Sequence, residues 1–224
     1  MPGRERKPAD ASATAPGHGD GSEADIDVRI RRTRSRLQNA VLQLAGDKPV
    51  EEISVADLVR TARINRTTFY KHAENPEDVL ARALYSDLDR RRAQWLAETA
   101  APQLPTRESW RRAAQGMLGH LERHDAVYTR GLTGRRPSGV LQQLLAEHFA
   151  ATLRTLIDRD PRPLPEQAGP GAWRAEVHSR FIAYGEVGVV AAWLALPAPR
   201  DPRLFVSATT AVLPDWLTPA GQPG

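Results

Sequence analysis

Arg66, Thr67, Thr68, Tyr70, Lys71 and His72 stand within seven residues of one another in the stretch Ser54 to His72. Arginine can bond guanine edges, threonine can touch a thymine methyl or a phosphate, and tyrosine and lysine can reach phosphate oxygens. Grouped on one short helix, these side chains have the chemistry to read a DNA major groove. The surrounding residues are the ones that would hold such a helix in place. Ser54 can cap a first helix, with Asp57 in the acidic position of a capping box. Val55, Leu58, Val59 and Ala62 then recur at spacings of three and four and give that helix one apolar face. Ala62, Arg63 and Ile64 make a turn, and Asn65 caps a second helix running from Arg66 to about His72. Phe69 would pack inward beside Ile64, leaving the polar residues outward. The pattern is a helix-turn-helix. Two helices at this spacing also occur in all-α proteins that never touch nucleic acid, so the pattern alone leaves DNA binding open.

The residues are more particular than the pattern. Arg29-Ile30-Arg31-Arg32-Thr33-Arg34 is followed in order by Ile53-Ser54-Val55, by Ile64 through His72, and by Asp78-Val79-Leu80. Together they resemble the N-terminal domain of the tetracycline-repressor (TetR) family of one-component regulators. The resemblance is specific from about Asp25 to Leu88 and then rests on helix count and on a Gly-rich, Trp-bearing helix near the end. It implies an all-α fold: an N-terminal three-helix helix-turn-helix domain and a C-terminal helical bundle that dimerises. It further implies a ligand-responsive repressor, binding a palindromic operator in double-stranded DNA as a homodimer. The expected DNA contacts are Arg32, Arg36, Ser54, Arg66, Thr67, Thr68, Tyr70, Lys71 and His72. The sequence departs from the family at Pro76, where a lysine is usual; the free amides of that helix start could still hold a phosphate.

Composition bounds the rest. A 41% hydrophobic and 26% charged chain is ordinary for a soluble globular protein. The net charge of +4 announces no nucleic-acid partner, but Arg29 to Arg36 holds five arginines and no acid. There is no cysteine, which excludes disulfides and thiol chemistry and fits a reducing cytoplasm. No apolar run approaches the ~20 residues that cross a bilayer, so no membrane partner is expected.

Residues 1–24 read as a disordered tail, with Arg4, Arg6 and Lys7 as the alternative of a basic arm. The DNA-binding domain is expected over 25–74, a ligand-binding and dimerisation domain over 75–217, and a second tail over 218–224. The first helix carries Ile30, Leu37, Ala40, Val41 and Leu44 on its inner stripe. Asn75 and Pro76 start a long strut helix through Val79, Leu80, Leu84, Leu88 and Trp95 to about Ala100, stopped by Pro102 and Pro105. Helices follow from about Arg107 to Arg123, from Asp125 to about Leu132, and after Ser138.

From Ala172 to Leu196 the chain is amphipathic at first and then apolar on every side. Phe181, Gly185, Gly188 and Ala192 form one line of small residues, which admits close approach of a second helix. A dimer interface through Gly185, Gly188 and Ala192, with a last helix from Arg203 to about Leu213, is expected; a single compact core without a partner is the alternative.

No nucleophile elbow, phosphate-cradling Gly loop or dinucleotide fingerprint is present, so no enzyme and no cofactor is expected. His120 and His124, at i and i+4, read as an exposed helical pair rather than a metal site. Glu186 sits in an apolar run and needs a partner if it faces inward. Trp110, Met117, His148, Phe149, Phe181 and Tyr184 are the expected lining of a pocket for an unknown small-molecule effector, or else simply core. The competing reading of the whole is an α-helical enzyme or small-molecule carrier whose degenerate head does not bind DNA. Such a head would be expected to carry acids or bulky apolar residues at Arg66, Thr67, Tyr70 and Lys71, and it does not.

Overall fold

The computed structural model describes residues 20–99, 105–160, 164–165 and 169–218. Among them are nine α-helices, one 3-10 turn and no strand: α1 (Asp20–Asp47), the 3-10 turn Val50–Glu52, α2 (Val55–Ala62), α3 (Arg66–Tyr70), α4 (Pro76–Glu98), α5 (Arg107–Arg123), α6 (Asp125–Thr133), α7 (Gly139–Arg159), α8 (Gly171–Leu194) and α9 (Pro202–Ala211). No helix among the described residues is long and apolar enough to cross a membrane.

The expected tail lies outside the described residues as far as residue 19, and so do Pro102 and residues 219–224. Its last five residues belong to α1, which begins at Asp20; extending an existing helix costs far less than starting one. Thr218, assigned to the second tail, is buried instead, its amide bonded to the Asp215 carbonyl.

Sequence-local chemistry sets most boundaries. Ser54, Asn65, Asn75, Thr106, Ser138 and Asp201 each accept a backbone N–H with the side chain at a helix start, and each satisfies a donor that has no partner within its helix. Pro76 and Pro202 occupy first-turn positions, where a missing N–H is harmless.

The head consists of α1, α2 and α3, closed from below by Val50 and Ile53. Its core of Leu37, Val41, Leu58 and Phe69 continues without a break into Val79, Leu80 and Leu84 of α4 and on to Leu121, Tyr128, Leu145 and Val190 of the body. In the body α7 lies along α8, α5 against α9, and α4 against α7, while α1 rests on α6. At the α1–α6 crossing a Cβ on Gly46 would sit 3.4 Å from Ala126, so the two backbones approach closely there.

Candidate nucleic-acid interface and ligand cavity

The turn between α2 and α3 fixes the angle of the recognition helix. Arg63 adopts the left-handed conformation (φ 53°, ψ 49°); its amide bonds the Arg60 carbonyl and the Ile64 amide bonds the Val59 carbonyl. This is a helix stop that usually uses glycine. The start of α2 is pinned through Asp57, whose carboxylate accepts from Ser54 Oγ at 2.9 Å, Lys48 Nζ at 3.1 Å and Arg60. Those bonds, led by Lys48 and Ser54, hold its pKa down to about 2.

In α3 the Asn65 carboxamide accepts from the Thr68 amide at 2.7 Å. Phe69 is completely buried and stands edge-on to Tyr70, with ring centroids 5.2 Å apart. Arg66, Thr67, Tyr70 and Lys71 are exposed and Thr68 is half-buried. The helix stops at Tyr70, two residues before the expected end. The Lys71 and His72 amides bond carbonyls three residues back, and this tightened turn lets Ala73 reach the core. Lys71 therefore projects from a turn. His72 is half-buried and lines a groove with Arg34 of α1 and Arg82 of α4; burial first, and then Arg34 and Arg82, lower its pKa. Ser54, Arg32 and Arg36 are exposed on α1 and at the start of α2. At the start of α4 the Asp78 amide is taken by Asn75 and the Glu74 amide by the Asp78 carboxylate. That reciprocal capping occupies donors that could otherwise have met a phosphate.

A cavity of about 270 Å³ lies between α4, α5, α7, α8 and α9. Of the expected lining it brings together Trp110, Met117, His148 and Phe149, and it adds Trp95 and Glu186. Phe181 and Tyr184 are not part of it: they are 80% and 56% exposed, on the opposite side of α8. The correction follows from the helix, which is apolar all round; its period cannot say which apolar side meets its own core. Trp95 was legible only as the last apolar residue of the strut. Its ring lies 5.0 Å from that of Trp110, and its Nε1–H donates to Ser109. Burial pushes the pKa of Glu186 up to about 8 and that of His148 down to about 4.

The outward face of α8 carries Val177, Phe181, Tyr184, Gly185, Gly188 and Ala192, and Leu204 of α9 and Val212, just past the end of α9, are exposed as well. A Cβ on Gly185 or Gly188 would meet nothing within 4 Å.

His120 is a further correction. It is not an exposed partner of His124 but 0% exposed, because Asp87 of α4, 33 residues away, supplies what the local sequence could not. His120 Nδ1 lies 2.8 Å from Asp87 Oδ2 and Nε2 lies 2.9 Å from the Tyr128 hydroxyl. Burial lowers its pKa to about 4 despite Asp87, so the ring is neutral, with Nδ1 the donor to Asp87 and Nε2 the acceptor from Tyr128. Burial alone would raise the Asp87 pKa; hydrogen bonds from His120, Arg91 and Arg90 outweigh it and hold the carboxyl well below the usual range. Asp87, His120 and His124 lie close enough to suggest metal ligands, but Arg91 and Arg123 already donate to Asp87. The arrangement is a hydrogen-bonded strap joining α4, α5 and α6.

No family model and no curated protein matches the chain. Solved structures do. The fatty acid degradation regulator FadR from Bacillus halodurans superposes with a TM-score of 0.57 at 15% identity, over 83% of this chain and 94% of that one. A tetR-family transcriptional regulator from Streptomyces coelicolor gives 0.52 at 17% identity, over 80% and 77%. The dihydroxyacetone kinase operon activator DhaS gives 0.50 at 16%, over 80% and 92%. At these identities the likeness is one of fold: the chain has the TetR-like all-α fold, with a helix-turn-helix head and a helical body.

Proposed function

We propose that this chain is a sequence-specific DNA-binding transcriptional regulator, not an enzyme, acting in the cytoplasm as a homodimeric repressor. The observation that carries the reading is the division of labour in α3. Phe69 anchors the helix from inside while Arg66, Thr67 and Tyr70 stand free on its outer side, where base edges come within reach. The fold is shared with transcriptional regulators, and the exposed side of α3 holds no acid.

The apolar face of α8 and α9 supports dimerisation. Two heads held by such a dimer would enter successive major grooves, about 34 Å apart along the duplex, and their operator would be palindromic. The cavity against α4, the helix that carries the head, supports a small-molecule effector. A ligand preferring one head spacing would shift the population toward it and release the DNA.

The test is a gel shift with the DNA upstream of the gene. A retarded band competed by the same fragment but not by random DNA is expected; equal competition by both would remove sequence-specific reading.

A further inference from the structure

Resting on the reading of the cavity as an effector site, we propose that it takes an organic cation: a compact, largely apolar molecule with one protonated nitrogen, held by the Glu186 carboxylate. Glu186 is 8% exposed and lines the cavity from α8, yet among the described residues it has no hydrogen bond or ion pair. His148 lines the same cavity from α7, and its buried Nδ1 also lacks a partner. An isolated carboxylate is expensive to bury, so a cationic group brought in by a ligand would gain an unusually eager partner.

The other walls favour the same chemistry. Trp95, Trp110, Phe149 and Phe205 line the space, and aromatic faces attract cations. Both tryptophan N–H groups are already committed, Trp95 to Ser109 and Trp110 to the Leu217 carbonyl, so the ligand meets carbon rings rather than donors. The Thr209 and Thr210 hydroxyls of α9 donate to carbonyls of their own helix.

The remaining charged groups facing the cavity come from α4 and α5. Arg91 is paired with Asp87 and Arg92 with Asp89. Glu98 and Arg112 are exposed, at the mouth. Among the described residues that line the cavity, the inner carboxyl is thus the one uncommitted acid. A volume of about 270 Å³ lies near the lower end of the ~300–1,000 Å³ typical of small-molecule sites, which fits one fused ring system rather than a long chain. Burial pushes the pKa of Glu186 up to about 8, so without a cation beside it the group is mostly protonated at neutral pH. Binding a cation therefore releases that proton to solvent as the ion pair forms.

Three probes share one ring and differ in their head: naphthylmethylamine, naphthalenemethanol and naphthoate. Calorimetric titration of the full chain should give the amine at least a tenfold lower Kd than the alcohol, about 1.4 kcal/mol, with naphthoate weakest. Glu186→Gln should bring the amine to the level of the alcohol. An alcohol that binds as well as the amine, a naphthoate that binds best, no binding by any probe, or an amine indifferent to Glu186→Gln would each overturn the proposal. If that variant does not fold, benzyltrimethylammonium, whose charge is fixed, decides on the parent chain. Its affinity should climb about tenfold per pH unit up to about pH 8 and then level off; a flat profile overturns the proposal. Operator affinity measured in the same samples separates the two readings. An amine that binds through Glu186 without changing operator affinity supports the ligand class and removes the effector role.

Discussion

The Ser138 hydroxyl donates a 2.6 Å hydrogen bond to Glu51 Oε1, joining the start of α7 to the 3-10 turn of the head. Ser138 Oγ also accepts from the Leu141 amide, and the Ser138 amide bonds the Gly131 carbonyl. One residue thus caps a body helix, closes the α6–α7 turn and grips the head. Ser138→Ala removes a cap worth ~1 kcal/mol and a bond to a charged acceptor worth ~1.5–3 kcal/mol. Denaturant unfolding should show a loss of about 2.5 kcal/mol, the low end of that sum because Glu51 is exposed, and Glu51→Gln, which keeps an acceptor, a smaller one. Equal losses would mean that the charge, not the tie, matters.

Arg66→Ala and Lys71→Ala should separate base reading from attraction. Arg66→Ala should cost ~1–3 kcal/mol on the operator and relax preference at one position of each half-site. Lys71→Ala should weaken operator and random DNA alike and lower the salt slope by about two units in a dimer. Affinities across a salt series check both; equal loss on both DNAs for Arg66→Ala would make it a phosphate contact.

Gly188→Leu tests the α8 face. A side chain there meets nothing within 4 Å in one protomer, so the fold should survive while a helix-to-helix contact is overpacked by ~1–3 kcal/mol. Sedimentation should show a folded monomer where the parent is a dimer.

The strap around Asp87 makes stability pH-dependent. The pKa of His120 is lowered on folding from 6.5 to about 4, so over that window the unfolded chain binds the extra proton. Its contribution is present above about pH 6.5 and is lost as pH falls toward 4, by on the order of 2–3 kcal/mol. Below that, Asp87, lowered on folding, loses its contribution as it is protonated. His148 acts in the same direction as His120, and Glu186, raised on folding, acts in the opposite one. The clean measure is therefore the difference in unfolding free energy between parent and His120→Gln, which should shrink from pH 7 to pH 4.

Arg63→Gly should stabilise the head by roughly 0.5–1 kcal/mol, because a left-handed residue with a Cβ is strained where glycine is not. A higher melting temperature is expected; no change would mean that the Arg63 side chain offsets the strain.

The head was legible in sequence because its signals are local. Ser54, Asn65 and Asn75 cap within three residues, and Phe69 is the one large apolar side chain in α3. The body was less so. His120 finds Asp87 33 residues away, and no periodicity announces such a pair. Phe181 and Tyr184 lie on a helix that is apolar all round, where the choice between core, cavity and exposed face is made by the packing of α7 and α9. Glu186 was legible as a buried acid, but its lack of a partner is a property of the assembled cavity.

The core that passes unbroken from Phe69 through Leu80 to Val190 also ties the lifetimes of the parts together. The amide of Phe69, whose side chain is anchored in that core, is protected to the extent that the core stays closed, since regions bound by buried apolar contacts open as cooperative units. A molecule seated in the body slows such openings by mass action. Hydrogen-exchange protection at Phe69 should therefore rise when the distant cavity is filled, even if the head never changes its position.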